Sequence, residues 1–421
     1  MRSQLVSSIV LIAVVASGCS GDTAGDINSP PAAVNNAASI EVAIAPATSN
    51  FYAKARSFYR EGESVAVTAK ILDSQGKVVT DGAVAWEANG VAFVAIDSRS
   101  ATFSAKAGYT TIRATTPRLG GGRIVQSASI LIAPSTRTLV WNTDGSLTDV
   151  PLPDDAWLVR PKAINNRGEV VGTVGYPASG STFVGSVSLV YRFFIWSISG
   201  GYREIPRDNA FAVDINDSGV VMGTIAGSPF LWTDQGGVEL VRDVSPSFDV
   251  VAINKLGHIA GSKAESAVFL VPSVAVATYP LRPAYAQDIN DRDDVLVGEG
   301  YSPFYYSDPT AFSIWNGLSV TRTDCVCRLS AMNNSRQVVG TTLVNGRYDQ
   351  VFRWSAEQGF VRLPLSSVSA INDAGEVAGN GLADSASRPT VWSESGLRTM
   401  PLAGFTTHDL NNLGQVLVSA R

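Results

Sequence analysis

Few residues in this chain are of a type and spacing that could do chemistry. Asp214-Ile215-Asn216-Asp217-Ser218-Gly219 is an oxygen-rich run of the kind that loops around calcium, as are Asp288-Ile289-Asn290-Asp291 and Asp409-Leu410-Asn411. Calcium takes six to eight oxygens, several of them carboxylates. In four related phrases, however, the leading position is Ala163, Ala252, Ala331 or Ala370. The constant element is a lone Asn, which suits a turn better than a cation, so no metal site is expected. Cys325 and Cys327 are two apart. On a strand they would share a face, farther apart than an easy disulfide allows. With no second Cys pair or His cluster for zinc, they read as two strand thiols, reduced or oxidised. His258 and His408 are the only histidines, and both fall in variable polar repeat slots expected to be solvated. No G-x-S-x-G elbow supports a Ser-His-Asp site. Asp154-Asp155 and Asp293-Asp294 are sequence neighbours, which splays them, whereas a glycosidase needs opposed carboxylates; a pair assembled from different repeats stays open. Gly298-Glu299-Gly300 and Gly379-Asn380-Gly381 lack the strand-to-helix setting of a phosphate loop. No catalytic residue and no cofactor is assigned.

The elements that would position these residues repeat. The phrase reads A-I-N-N-R-G-E-V-V-G at Ala163–Gly172 and D-I-N-D-S-G-V-V-M-G at Asp214–Gly223. Its anchor is Asn165, Asn216, Asn254, Asn290, Asn333, Asn372 and Asn411, in steps of 51, 38, 36, 43, 39 and 39 residues. A period near 40 with strand-like content is the length of a propeller blade. Upstream of each anchor lies an aromatic strand holding Trp141, Trp196, Trp232, Trp315, Trp354 and Trp392, with Phe269 near the matching place in the remaining unit. Each unit thus offers four short strands: the Trp strand, a Gly-led strand, the strand ending in Ile-Asn and a Val-rich strand. The Asn-x-x-Gly core predicts a tight turn, with Asp293 and Arg336 standing where the Gly is lost. One extra residue before Gly298 predicts a bulge or longer turn in that unit. Seven such sheets around an axis bury both their faces, and the first two strands, around Trp141 and Val150–Pro153, would complete the last sheet and lock the ring. The Asn turns would share one face. The longest connections, Thr173–Tyr191 and Glu299–Ala311, would lie on the other; the second carries Tyr301, Phe304, Tyr305 and Tyr306, aromatics suited to sugars or peptides or to packing on a neighbour.

The A/D-I-N-x-x-G-x-V-x-G phrase with its upstream aromatic strand resembles the HAF-type extracellular repeats of bacterial surface proteins. The resemblance covers roughly residues 137–421 and implies a location and a repeat fold, not a reaction.

The front of the chain reads as export machinery. Residues 1–18 carry Arg2, the apolar run Leu5–Ala16 and then Ala16-Ser17-Gly18-Cys19, which resembles a lipoprotein signal. That resemblance implies cleavage before Cys19 and its lipidation. Ser20 rather than Asp implies, by analogy, an outer-membrane destination in the bacterial envelope. Losing Arg2 takes the net charge from −5 to −6. Residues 19–38 read as a flexible tether. In residues 39–134, Val65, Val67, Ala69 and Ile71 alternate with polar neighbours as a half-buried strand does. Trp86, Phe93–Asp97 and Ala105–Ile112 resemble the group 2 bacterial Ig-like domain; the insert Phe51–Arg60 departs from that pattern. The expected fold class is all-β: an Ig-like β-sandwich followed by a seven-bladed β-propeller. Charged residues are 16% and apolar residues 45%, and the acidic balance gives no electrostatic reason to expect nucleic acid. The expectation is a non-enzymatic cell-envelope lipoprotein, anchored in the membrane by its N-terminal lipid, that binds or adheres to glycan or protein ligands. The alternatives are a carbohydrate-active propeller enzyme with its site at the channel mouth and a structural envelope component. Oligomeric state is not readable.

Overall fold

In the computed structural model the chain is described over residues 37–420, apart from 46, 49–54, 57–58, 81, 89–91, 105–107, 119–121, 134, 154, 179–187, 242–247, 301–309, 345–346 and 384–385. The signal, Cys19 and nearly all of the tether lie outside the described residues, as do Asp154, Tyr301, Phe304, Tyr305 and Tyr306. The described residues are all-β, with no helix. They divide into two units, one ending at Ser135 and the other beginning at Thr136.

The first unit holds two four-stranded sheets. The alternation at Val65–Ile71 buries Val65, Val67, Ala69 and Ile71 along the strand Ser64–Asp73, which pairs with Ala37–Ile44 on one side and Ser100–Ser104 on the other. In the second sheet Gly108–Pro117 pairs antiparallel with Arg123–Ala133, and Tyr59–Arg60 adds a short parallel edge. Val65, Val67 and Phe103 from one sheet close on Ile112 and Ile132 from the other. Its described residues include no cysteine to staple it, so burial of these side chains must stabilise it.

The second unit is seven four-stranded antiparallel sheets, taken in chain order. Six are contiguous meanders. In the first, the Ile-Asn strand Leu158–Ile164 pairs with the Val-rich strand Val170–Pro177, then the Trp strand Leu189–Ser197, then the Gly-led strand Gly201–Ile205. The seventh is composite. Phe405–Leu410 and Val416–Ala420 from the chain's end pair onward to Arg137–Trp141 and Leu147–Asp149 from the unit's start. The fourth strand of that sheet is thus Leu147–Asp149, just before the expected Val150–Pro153, because the tight turn at Asn142–Ser146 brings the chain back early.

Two local expectations are corrected by register. The unit around Asn290 has no longer turn: Asn290 N–H reaches the Asp294 carbonyl just as Asn165 N–H reaches that of Glu169. The extra residue is a substitution in disguise. Val297 stands where Gly172 stands, each one pair beyond the shift in register. A Cβ at Gly172 would lie 2.5 Å from the Arg160 carbonyl oxygen and 2.7 Å from the Phe194 ring. Opposite Val297 the ring is replaced by Ser313, so bulk has moved across the pair at constant volume. A bulge does exist, but in all seven Ile-Asn strands, one residue before the Ala or Asp of the phrase. The slot holding Lys162, Gln287, Ser369 and His408 is that bulge residue.

The second correction concerns the missing tryptophan. Trp196 pairs with Val170 and Trp232 with Val221; in the third sheet the partner of Ile259 is Leu270, not Phe269. Phe269 is one residue off and sits on the other side of the strand, edge-on to His258 at 5.7 Å between ring centres.

Candidate functional site

The Asn turns converge on one mouth, and each tier of that mouth follows from one position of the phrase. The anchor Asn is buried in every unit. Asn165 Oδ1 accepts from the N–H groups of Arg167 and Glu169, both at 3.0 Å, which closes its own turn. Its Nδ2 then donates to the carbonyl of the next anchor, Asn216, at 3.0 Å. The relay continues from Asn216 to Asn254 at 2.9 Å, Asn254 to Asn290 at 3.1 Å and Asn290 to Asn333 at 3.3 Å. It runs on from Asn333 to Asn372 at 2.9 Å and Asn372 to Asn411 at 3.3 Å, and it closes from Asn411 to Asn165 at 2.9 Å. The seven sheets are therefore joined in a closed circuit. Only a side chain with both an acceptor and a donor, on a stem this short, can do both jobs.

The residue after the anchor forms an outer tier. The N–H of Asn166 donates to Asp217 Oδ1 at 2.9 Å, that of Asp291 to Asn334 at 2.7 Å, that of Asn334 to Asp373 at 2.9 Å, and that of Asn412 to Asn166 at 2.6 Å. Lys255 interrupts this tier because an ammonium cannot accept; its own N–H still reaches Asp291 at 2.9 Å.

The residue two before the anchor forms an inner tier of three carboxylates. Each binds two sheets. Asp214 accepts from Ile215 at 2.8 Å and from Ile253 of the next sheet at 2.9 Å. Asp288 takes Ile289 at 2.8 Å and Met332 at 2.7 Å. Asp409 takes Leu410 and Ile164, both at 2.8 Å. Three acids thus serve six of the seven equivalent N–H groups. The seventh, of Ile371, has alanine at both positions that would supply a carboxylate, Ala331 and Ala370. The Asp and Ala alternation is what an odd-numbered ring allows when each acid covers two sheets.

Burial pushes the Asp214 carboxyl up to about 8, against the lowering effect of the Ile253 and Ile215 N–H groups, with the Asp409 and Asp288 charges adding to the rise. Burial likewise raises Asp288 to about 7 and raises Asp409. The tiers line a cavity of about 190 Å³ at the mouth. Five acids line it, Asp214, Asp217, Asp291, Asp373 and Asp409, but the oxygens of all five are engaged by N–H groups of the fold or by neighbouring Asn and Lys side chains. Among the described residues no group of three or more His, Cys, Asp or Glu side chains is arranged to hold a metal ion.

The other residues singled out in the sequence fall apart from this mouth. His258 is half-buried and its Nδ1 lies 2.8 Å from Asp293 Oδ1, so it is tied rather than solvated. His408 Nε2 lies 2.7 Å from Ser419 Oγ. Asp293 and Asp294 splay: the first faces His258 and the second, buried, binds Arg336. Cys325 and Cys327 are joined as a disulfide with Cα atoms 5.4 Å apart. The expectation of two strand thiols fails because Cys325 lies between the strands Val320–Asp324 and Cys327–Met332, not on either. Asn165 through Asn411 all sit at the turns. Glu299, read as the start of the connection Glu299–Ala311, is instead a buried carboxylate at the end of the strand Val295–Glu299, bonded by Tyr279, Ser313 and Arg322. Burial alone would raise it; those three hydrogen bonds outweigh burial and hold it below its usual value. Its only sequence signal was an acid on a strand otherwise entirely apolar.

A second concavity, of about 340 Å³, lies between the second and third sheets of the ring. No sequence signal marked it.

No family model and no curated protein matches the chain. Among solved structures, the β-propeller domain of the Trilobed protease from Pyrococcus furiosus, described as having an open velcro topology, aligns at 11% identity and a TM-score of 0.45, over 61% of this chain and 87% of that one. The acylaminoacyl peptidase of Pyrococcus horikoshii aligns at 12% and 0.30, over 89% of this chain and 52% of that one. AofleA from Arthrobotrys oligospora aligns at 8% and 0.28, over 87% and 97%. The ring rests on its own hydrogen bonds, not on these scores.

Proposed function

We propose that this chain is a cell-envelope lipoprotein whose seven-sheet unit is a seven-bladed β-propeller, whose first unit is an Ig-like sandwich, and whose work is non-enzymatic binding or adhesion to glycan or protein ligands. The supporting observation is the fate of the acids. The mouth of the axis is where a propeller enzyme of this kind would keep its carboxylates, and here each one accepts backbone N–H groups or side-chain amides that tie adjacent sheets. A carboxylate whose two oxygens are both held by N–H donors of the fold has neither turned toward a substrate. The mouth is a rigid closed platform, which suits recognition on the surrounding loops. Lipid attachment at Cys19, an outer-membrane destination and the aromatic connection with Tyr301, Phe304, Tyr305 and Tyr306 belong to the same proposal. The test is a glycan and protein array probed with the purified chain. Saturable capture, lost when Tyr305 and Tyr306 are changed to Ala, supports it; a folded chain that captures nothing across broad arrays counts against it.

One observation favours a carbohydrate-active enzyme: five acids do converge at one mouth. Hydrolysis of chromogenic glycosides that is abolished by Asp214→Asn or Asp217→Asn would establish that reading instead.

A further inference from the structure

At two junctions of the ring an arginine on the outer, Gly-led strand covers the tryptophan of the following sheet. Arg203 lies over Trp232 at 5.0 Å and Arg398 over Trp141 at 4.2 Å. The register fixes which residue does this. Arg203 pairs with Ile195 and Arg398 with Val391, each on the Trp strand one residue before the tryptophan. In the second sheet the same pairing joins Leu231 to Glu239. In the third sheet the tryptophan is Leu270. The tryptophan is therefore missing at this one junction, and the position that holds arginine at the two stacked junctions and a neutral residue (Thr148, Ala277, Thr321 or Val361) at the other four holds an acid here.

At this junction lies the second cavity, about 340 Å³, walled by Leu231, Leu256, Val271 and Pro272, with Thr233, Glu239 and His258 as its polar side chains. That is the low end of the roughly 300–1,000 Å³ typical of small-ligand pockets. His258 is engaged by Asp293 at 2.8 Å. Glu239 makes no ion pair among the described residues, whereas Asp234, in the turn before its strand, is taken by Arg203 of the preceding sheet.

We infer that this cleft is a binding site for a guanidinium group, such as an arginine side chain carried by an extended peptide. The sister junctions show that a guanidinium on an aliphatic stem fits such a cleft. Here it would arrive from outside, its planar fork pairing with both Glu239 oxygens and its stem lying along Leu231 and Pro272. Paired to a carboxylate, arginine gives two parallel hydrogen bonds and accepts an apolar floor, because it is weakly hydrated; lysine, a compact and strongly hydrated charge, does neither as well. The inference sits within the binding-module reading but not on the aromatic connection, so either can fail without the other.

The test is calorimetric titration of the whole chain with Nα-acetyl-arginine amide and with Gly-Arg-Gly, against their lysine counterparts. Saturable binding of the arginine compounds is expected, at least several-fold tighter than lysine. Glu239→Gln should weaken it about tenfold, the effect of losing one charge-assisted pair, with the thermal midpoint unchanged. The double change Glu239→Arg with Leu270→Trp rebuilds the sister stack and should abolish binding while the chain stays folded. Absence of saturable binding by the parent chain, or binding that survives both variants, overturns the inference. So does equal affinity for arginine and lysine.

Discussion

Asp294 and Arg336 are bound through both oxygens, at 2.6 and 2.8 Å, across two neighbouring turns of the ring. Each departs from the repeat in its own way. Asp294 fills the slot of Glu169, and Arg336 fills a slot where five units have Gly, at φ 56°. A residue with a Cβ pays strain there, and the ion pair offsets it. The carboxylate is buried while the guanidinium is 48% exposed. Asp294→Gln or Arg336→Gly alone should cost about 2–3 kcal/mol, since each strands the other partner. The pair Asp294→Gln with Arg336→Gly restores the common turn and should cost clearly less than the sum. A double-mutant cycle by urea unfolding measures the difference; simple additivity would refute the coupling.

The Asn circuit makes a sharper demand. Asn165→Ala removes acceptors for the N–H groups of Arg167 and Glu169 and donors to Asn216 and Glu169. At about 1 kcal/mol for each net hydrogen bond, a loss of roughly 4 kcal/mol is expected, visible as a lower urea midpoint. Asn165→Asp should be no milder, because a carboxylate would face the Asn216 carbonyl and the Glu169 carboxylate.

The inner acids predict a slope with pH. Their folded-state values are raised above the ordinary Asp value, so the folded chain binds protons more tightly than the unfolded one. Their contribution to stability is full below about pH 4 and is lost as pH rises through the folded values, about 7 for Asp288 and about 8 for Asp214. Unfolding free energy should therefore fall between pH 5 and 8, by at most about 1.4 kcal/mol per pH unit for each titrating proton. Asp214→Asn should flatten that slope. A profile that rises over this window, or one indifferent to the substitution, would count against the assignment.

The disulfide should matter little to stability. It closes a loop of only three residues, from Cys325 to Cys327, for which chain entropy gives roughly 1.5 kcal/mol. Reduction should lower the thermal midpoint by a few degrees at most, and Cys325→Ser with Cys327→Ser should reproduce that shift. Loss of the cooperative transition would show a larger role.

Much of this arrangement is legible in the sequence, and the reason is local. An Asn whose Oδ1 closes its own turn leaves the same mark in every copy, and Val and Trp at fixed offsets declare the strands they build. What is not legible depends on the neighbouring sheet. Ala or Asp before Ile-Asn looks like noise along the chain; it becomes an accounting of N–H groups only when Asp214 is seen to reach Ile253. Phe269 draws the eye as the nearest aromatic, but pairing decides, and pairing puts Leu270 opposite Ile259. Gly298 suggests an insertion because glycine is easy to align, whereas the exchange of bulk between Val297 and Ser313 cannot be seen without a partner strand. The cleft beside Glu239 is invisible for the same reason: it consists of two absences on different sheets.

The composite last sheet imposes an order of events on biosynthesis. Strand Arg137–Trp141 is made before the six contiguous sheets, but its partner Val416–Ala420 only after them. Until then one long edge of it has no hydrogen-bonding mate, and such edges invite pairing with other chains. A protein built this way is a natural client for holding factors until Val416–Ala420 arrives, and a chain released before that point would carry an open seam.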